Sequence, residues 1–565
     1  MATKSDYIIV GGGAAGAVLA GRLSSAGSRR VLLLEAGPDA PPGKEPAAVL
    51  DTYYSVFFQP DFFWPELRVS FRPADAGGNI GPGRRYEQAR ILGGGSAVNA
   101  MIALRGLPGD FDEWVAAGAH GWSWPDVLPY FRKLESDLDF AGELHGAGGP
   151  IPVRRHRREQ WPGFCQAVVR HLEGRGWAFV ADMNGAPANG YCAVPMSSTV
   201  SQRVSTAMGY LGPEARRREN LELLTGAYVE KIVFDGVKAS GVRARIGAEV
   251  RTYSANEVIV CAGALHSPAI LMRSGLGPAG SLAAMGIEVK ADLPGVGSNL
   301  QDHPAVSVAC HLKPAARQPR ELRPASNVAL RYDSGVEACA PSDMYVSVTN
   351  KASWHALGAQ IGALVLCVYK PYSRGRVFLA SPDPAAEPRV EFNMLSERRD
   401  LLRLAAAVRM AGEIYSSPAL RAATNEVFPS SFSERIRSLN RVSTGNRLRA
   451  AAGAILMDGP APLRRWLLDN VVNQGKSVEE LMASEQTLHA WLSERATGFY
   501  HPVGTCRMGR AGDADTVVDE ECRVRKVQGL RVVDASVMPT IPRANTSLTT
   551  IMIGERMAER IGQGR

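Results

Sequence analysis

Four apolar residues, Tyr7-Ile8-Ile9-Val10, run unbroken into three glycines, and apolar positions at helical spacing follow at Ala17, Leu19, Ala20 and Leu23. A second run, Val31-Leu32-Leu33-Leu34-Glu35, stops at Ala36-Gly37-Pro38. Unbroken runs, rather than alternating ones, mark strands buried on both faces, as in parallel sheets crossed by helices. The opening therefore predicts a short β-α-β unit. Residues 40–90, rich in Pro, Gly and aromatics, predict irregular chain. Order returns with strands at Glu222-Leu223-Leu224, Val229 and Val258-Ile259-Val260, then a helix over Ser267–Arg273. Between about 311 and 490 the texture changes to strands (Tyr345–Val348, Ala363–Tyr369) alternating with long helices (Leu401–Tyr415, Arg464–Val472). The last 65 residues resume the first habit: a strand at Leu530–Asp534, a loop, and a helix whose Ile553, Met557 and Ile561 form an apolar packing stripe. Two textures, the first interrupted and resumed, predict one α/β domain built from separated segments with a second domain inserted.

Composition narrows the class. Of 565 residues, 45% are hydrophobic and 21% charged, the balance of an ordinary globular protein with a large core. Lys plus Arg exceed Asp plus Glu by 8, but the excess is spread out. The short runs Arg216-Arg217-Arg218 and Arg154-Arg155-His156-Arg157-Arg158 lack interleaved aromatics and read as solvated surface, so no nucleic-acid partner is expected. The eight cysteines show no C-x-x-C or metal spacing, and several lie in apolar runs, which predicts buried free thiols and no metal. No apolar stretch approaches the ~18 residues of a membrane span. A strand starting at Tyr7 leaves no room for a signal peptide, so the chain reads as cytoplasmic.

Gly11-Gly12-Gly13-Ala14-Ala15-Gly16 fits G-x-G-x-x-G between a strand and a helix, and Glu35 ends the next strand. Gly11 permits the turn, Gly13 lets the backbone approach a pyrophosphate, and Gly16 lets the helix lie close on the sheet. The N–H groups at the start of the helix face the phosphates. Glu35 can accept from a ribose hydroxyl. The unit predicts a dinucleotide without separating FAD from NAD.

Three further segments carry a resemblance. They are Ala89-Arg90-Ile91-Leu92-Gly93-Gly94-Gly95-Ser96-Ala97-Val98-Asn99; Gly263-Ala264-Leu265-His266-Ser267-Pro268 continuing to Gly277; and Tyr500-His501-Pro502-Val503-Gly504-Thr505-Cys506 with Val533-Asp534-Ala535-Ser536 and Pro542-Arg543-Ala544-Asn545-Thr546. Weaker likenesses include Val296-Gly297-Ser298-Asn299-Leu300-Gln301-Asp302-His303 and Ser373-Arg374-Gly375. In this order, across essentially the whole chain, they resemble the glucose-methanol-choline (GMC) FAD-dependent oxidoreductases, whose members include choline dehydrogenases and aryl-alcohol and hydroxymethylfurfural oxidases.

The resemblance implies a Rossmann-like FAD-binding domain from residues 1–155, 195–310 and 500–565, with an inserted α+β substrate-binding domain from 156–194 and 311–499. It implies FAD contacts at Gly11, Gly13, Ala14, Ala15, Gly16, Glu35, Ala36, Arg90, Gly94, Gly95, Asn99, Ala100, Met101, Ile102, Val229, Asp534, Ala535, Asn545 and Thr546. Some relatives attach FAD through a histidine where this chain has Val98, so a non-covalent flavin is expected. The implied reaction takes an alcohol to an aldehyde or ketone by hydride transfer to flavin N5, with oxygen or a quinone-like carrier as the final acceptor; oxidase and dehydrogenase both stay open. His501 is the implied base and Asn545 the group holding the substrate oxygen, roles that suit a neutral imidazole and an amide. Asn545 also falls where a helix N-cap would. The other nine histidines read as structural. Arg543 departs from the family pattern, with surface and substrate-contact roles both open. Tyr500 and the run Tyr53–Phe58 with Phe62, Phe63 and Trp64 fit either an entrance or plain packing. A light-driven fatty-acid decarboxylase and a non-catalytic flavin carrier are the alternatives on this scaffold, and the intact His501 motif favours oxidation over both.

Overall fold

The computed structural model describes residues 4–72, 83–430, 433–473 and 477–564, without the side chains of 471–473. In the first seven-stranded sheet, Ser5–Val10 lies between Val31–Glu35 and Glu249–Val260, all three parallel. Leu221–Thr225 extends the parallel set beyond Val31–Glu35, and Leu530–Val532 pairs with the end of Glu249–Val260. The long strands Lys238–Ile246 and Ala227–Asp235 continue antiparallel on one side. Ile8, Ile9, Leu33, Leu34, Ile259 and Val260 are buried, as unbroken apolar runs require. Each such side chain contributes about 1.5–3 kcal/mol by leaving water.

Glycine sets how closely the layers meet. Gly11 has φ +99°, and a Cβ on Gly16 would lie 2.0 Å from the Gly11 carbonyl oxygen, so helix Ala14–Leu23 rests directly on the strand end. The C-terminal helix Thr546–Gly562 packs against that helix through its Ile553, Met557 and Ile561 side and through the Arg22–Glu555 ion pair at 2.6 Å. The expected irregular stretch holds short helical turns and two short strands, Arg68–Ser70 and Arg84–Arg85; residues 73–82 of it lie outside the described residues.

The second seven-stranded sheet is antiparallel: Thr424–Ser430, Pro304–Leu312, Ile361–Val368, Met344–Thr349, Ser326–Tyr332 and Gly190–Ala193 in order, with Thr497–Gly498 beside Pro304–Leu312. Its two faces differ in size. Val308, Cys310, Leu364 and Leu366 pack against Leu404, Val408 and Ala411 of helix Arg398–Ser416. The opposite face carries the smaller Ala305, Ser307 and Val365, which leaves space. That space adjoins the glycine end of the first sheet.

Of the basic runs, Arg216 pairs with Asp39 and Arg158 with Glu173 near the surface, as solvated runs would. Arg155 instead is buried between Asp137 and Asp182, because those carboxylates draw its guanidinium into the fold. All eight cysteines are free and seven are buried. No helix of the described residues is long and apolar enough to cross a membrane.

Candidate active site

A cavity of about 750 Å³ runs between the two sheets. One end follows the glycine turns. Gly11, Gly13, Ala14, Ala15, Glu35, Ala36, Gly94, Gly95, Asn99, Ala100, Ile102, Val229, Asp534, Ala535 and Thr546 line it, together with His501 and Asn545. Gly16, Arg90 and Met101 do not. Gly16 is closed against Gly11. Arg90 donates to the Ala36 carbonyl at 3.2 Å and stacks on Trp64, and Met101, with φ 61°, points into a buried cluster with Leu104.

The glycines show what this end can hold. A Cβ on Gly13 would come no nearer than 3.9 Å to another protein atom, and one on Gly95 would meet nothing within 4 Å. Both would project into the cavity, so a bulky group passes there only because these side chains are absent. Gly13 caps helix Ala14–Leu23 with no side-chain bond, which leaves its first N–H groups for an anion. Glu35 accepts from the amides of Gly12 at 2.8 Å and Gly37 at 2.7 Å; burial raises its pKa against their pull. Asp534 accepts from the Gly263 amide at 2.9 Å, the Ser267 hydroxyl at 2.6 Å and the Ser536 amide at 2.8 Å, fixing the loop before Ala535. These features fit a dinucleotide with a flat ring at the far end.

At that far end the polar groups form one chain. His303 Nε2 lies 3.1 Å from the Pro542 carbonyl, and His303 Nδ1 lies 2.9 Å from His501 Nδ1. A carbonyl only accepts, so His303 Nε2 carries the proton and its Nδ1 is bare. His501 Nδ1 therefore donates to His303, and His501 Nε2 presents a lone pair, 3.0 Å from Asn545 Nδ2. Tyr369 donates to Asn545 Oδ1 at 3.0 Å, which fixes the amide's orientation. Burial lowers the His501 pKa to about 3, and burial with the neighbouring His501 holds His303 well below the usual range. Both rings are neutral at physiological pH.

Asp302 lies behind this chain, accepting from the amides of His303 at 2.7 Å and His501 at 2.9 Å. Burial raises its pKa to about 7 in spite of these donors. Arg203, fully buried, donates to Asn99 Oδ1 at 2.9 Å and so shapes the loop that carries Asn99–Ile102. Asn545 does occupy the N-cap position of Thr546–Gly562, but it makes no side-chain capping bond; its amide is used by His501 and Tyr369.

Sequence reasoning gave His303 a structural reading and passed over Asp302, Tyr369 and Arg203. The adjacent acid and histidine in Leu300-Gln301-Asp302-His303 were the available signal. Arg543 is neither at the surface nor on the cavity wall: it is buried, donating to the buried Asp110 at 2.8 Å and to the Pro341 carbonyl at 2.8 Å. Of the aromatic run, Tyr54, Phe57, Phe58 and Trp64 line the cavity, while Tyr53 and Phe63 are core. Tyr500, in the left-handed region at φ 61°, exposes 38% of its surface into the cavity and donates to Glu87 at 2.8 Å; Glu87 also pairs with Arg437.

Comparison with known proteins is consistent along the chain. Two family models described as GMC oxidoreductase match residues 5–305 and 371–554. The chain is 39% identical over 570 residues to the 5-(hydroxymethyl)furfural oxidase of a Methylovorus species, covering 99% of each. It is 30% identical over 592 residues to the oxygen-dependent choline dehydrogenase of Photobacterium profundum, covering 99% of this chain and 93% of the other. Among solved structures, pyridoxine 4-oxidase from Mesorbium loti superposes with a TM-score of 0.81 at 25% identity, covering 99% of each chain.

Proposed function

This chain belongs to the GMC oxidoreductase family and is an FAD-dependent alcohol oxidoreductase; on that premise we propose that His501 is its base, that Asn545 holds the substrate oxygen, and that its substrates are compact neutral primary alcohols carrying an aromatic or furan ring. The observation that carries the proposal is the bare His501 Nε2 facing the Asn545 amide on the cavity wall.

Bound FAD supplies the hydride acceptor. The protein supplies position and a proton route. Asn545 Nδ2 is free to turn its hydrogen bond from His501 to a substrate oxygen, and His501 Nε2 is placed to take the hydroxyl proton. The resulting imidazolium shares its charge with His303 through Nδ1. Thr546 and Ser547, the first residues of helix Thr546–Gly562, line the cavity, so the positive end of that helix favours negative charge there. Phe499 packs edge-on with His501 at 5.2 Å between centroids, Phe57 packs edge-on with Tyr500 at 5.4 Å, and with Tyr54 they line the same cavity, which supports a ring-bearing substrate.

The remaining site residues on the glycine end would hold the adenine, ribose and pyrophosphate. Val98, buried at the cavity wall, has no atom able to bond the flavin, which supports a dissociable cofactor. The proposed division is FAD segments 1–155, 195–310 and 500–565 and substrate segments 156–194 and 311–499. The first sheet falls wholly in the former, which supports it, whereas Pro304–Leu312 joins the second sheet ahead of the 310 boundary and Arg68–Ser70 pairs with Arg389–Glu391 across the division. Oxygen is the proposed acceptor, since a relative as near as 39% is named an oxidase. The test is a panel of benzylic, furanic, aliphatic and cationic alcohols, each run with oxygen and with a quinone-like dye. Ring alcohols turned over with peroxide formation support the reading; preference for choline, or for dye alone, defeats it.

A further inference from the structure

Helix Thr444–Met457 is apolar on both sides. Its inner side, with Ala450, Ala454 and Met457, is buried against the second sheet. Its outer side carries Leu448, 67% exposed, and Ile455, 75% exposed, with Ala452 between them at helical spacing and Leu456 beside them. The next helix, Ala461–Leu467, packs against it and adds Leu463 and Trp466, the latter 59% exposed. Isolated exposed apolar residues are ordinary, but a contiguous exposed apolar patch marks a face that meets a partner. Six of the thirteen exposed large hydrophobic residues among the described ones fall within 442–466, so the exposure is concentrated in this hairpin.

The charges around the patch have one dominant sign. Arg435, Arg441, Arg447 and Arg449 are exposed around it, and Arg465, also exposed, pairs with Glu426 at 3.5 Å. The exposed acids of the segment are Glu434, Asp458 and Asp469, and Asp458 is already paired with Arg317. A second copy of the chain, meeting this face by two-fold symmetry, would bring the same arginines against each other. An anionic surface with an apolar interior meets both features at once. Long arginine stems lie along apolar ground while their heads reach anionic groups, and tryptophan favours the boundary between the two.

We propose that the hairpin of residues 444–467 is a docking surface for an anionic lipid bilayer, on which the protein lies peripherally. Its inner side adjoins the cavity: Gly453, Met457 and Leu467 are wall residues on the same helices. The docked face thus lies over part of the cavity wall.

The test is co-sedimentation of the FAD-loaded protein with vesicles of phosphatidylcholine, alone and mixed with phosphatidylglycerol. Binding is expected to the mixed vesicles, to be about tenfold weaker to the neutral ones, and to fall as salt is raised. Leu448→Ser/Ile455→Ser/Trp466→Ser is expected to lower binding about tenfold or more while turnover of a water-soluble alcohol stays unchanged. Arg447→Ser/Arg449→Ser, which leaves the apolar patch whole, is expected to weaken binding to mixed vesicles alone. Absence of binding to either vesicle, or equal binding by wild type and both variants, overturns the proposal. So does a dimer in sedimentation equilibrium that the triple variant dissociates without any vesicle binding, an outcome that assigns the patch to a second copy.

Discussion

Replacing His303 tests whether the proton arrangement at His501 is set from behind. His303 is fully buried, with its ring stacked on Tyr369 at 4.5 Å between centroids. In His303→Leu the ring's volume is largely kept and the acceptor for His501 Nδ1–H is gone. A buried donor without a partner costs about 1–3 kcal/mol. The imidazole relieves that cost by carrying its proton on Nε2, where it meets the Asn545 amide as donor against donor and no longer offers a lone pair. The base-ready form then falls by roughly 5- to 150-fold, the same energy written as a population. The assay is anaerobic stopped-flow bleaching of the flavin at saturating alcohol, which reads the limiting rate apart from binding. His303→Asn returns an acceptor close to where Nδ1 was, and is expected to restore the rate to within ~threefold. Wild-type bleaching in His303→Leu would refute the reasoning. So would an Asn variant as slow as the Leu variant while both retain FAD, because that outcome makes His303 a packing residue only.

His501→Ala is expected to slow bleaching by about 10²-fold or more with FAD still bound, and Asn545→Ala to slow it less; unchanged bleaching in His501→Ala removes the base assignment. The pH dependence follows from Asp302, whose pKa is raised to about 7. Above that pH the carboxylate is ionised 2.9 Å from the His501 amide and favours positive charge on the ring; below it the group is neutral and kcat/KM falls. Asp302→Asn should abolish this acid limb and stay at the low plateau, and His501, at about 3, should add no limb of its own above pH 5. For the cofactor, acid precipitation should release all the FAD into the supernatant, and Gly13→Leu, whose side chain enters the cavity, should yield colourless protein.

The two ends of the site were not equally legible in the sequence. The glycine end is local: strand, turn and helix lie within residues 5–35, and the steric demands of Gly11 and Gly16 are met within the same unit. Unbroken apolar runs announced the parallel strands, and the stripe Ile553, Met557 and Ile561 announced a packed helix. The catalytic end is assembled from distant chain. His303 and His501 are 198 positions apart, and Tyr369 and Asn545 are 176 apart. No spacing rule reports such a pair, and the direction of each hydrogen bond depends on the Pro542 carbonyl, which only the fold brings near. Arg543 shows the converse: its charge drew notice in the sequence, yet its partner Asp110 sits on another element and makes it structural. The space for the substrate was equally hidden, because Ala305, Ser307 and Val365 matter by being smaller than the residues on the opposite face of their strands.

The low basicity of His501 also constrains the order of events. Burial holds His501 well below the usual imidazole range, while an alcohol is a far weaker acid than an imidazolium. Handing the proton over as a free alkoxide before the C–H bond weakens would therefore be steeply uphill with no hydride yet moved. As hydride leaves, the substrate becomes a protonated carbonyl, whose O–H is far more acidic than an alcohol's and transfers readily to a neutral, weakly basic imidazole. The geometry therefore predicts that proton and hydride depart in one step, the hydride leading. Bleaching should then be slowed by deuterium on the carbinol carbon and, more weakly, by deuterated solvent, and the carbon effect should persist at full size in deuterated solvent. A carbon isotope effect that shrinks in deuterated solvent would mean a separate proton transfer, and with it a His501 far more basic than its buried position allows.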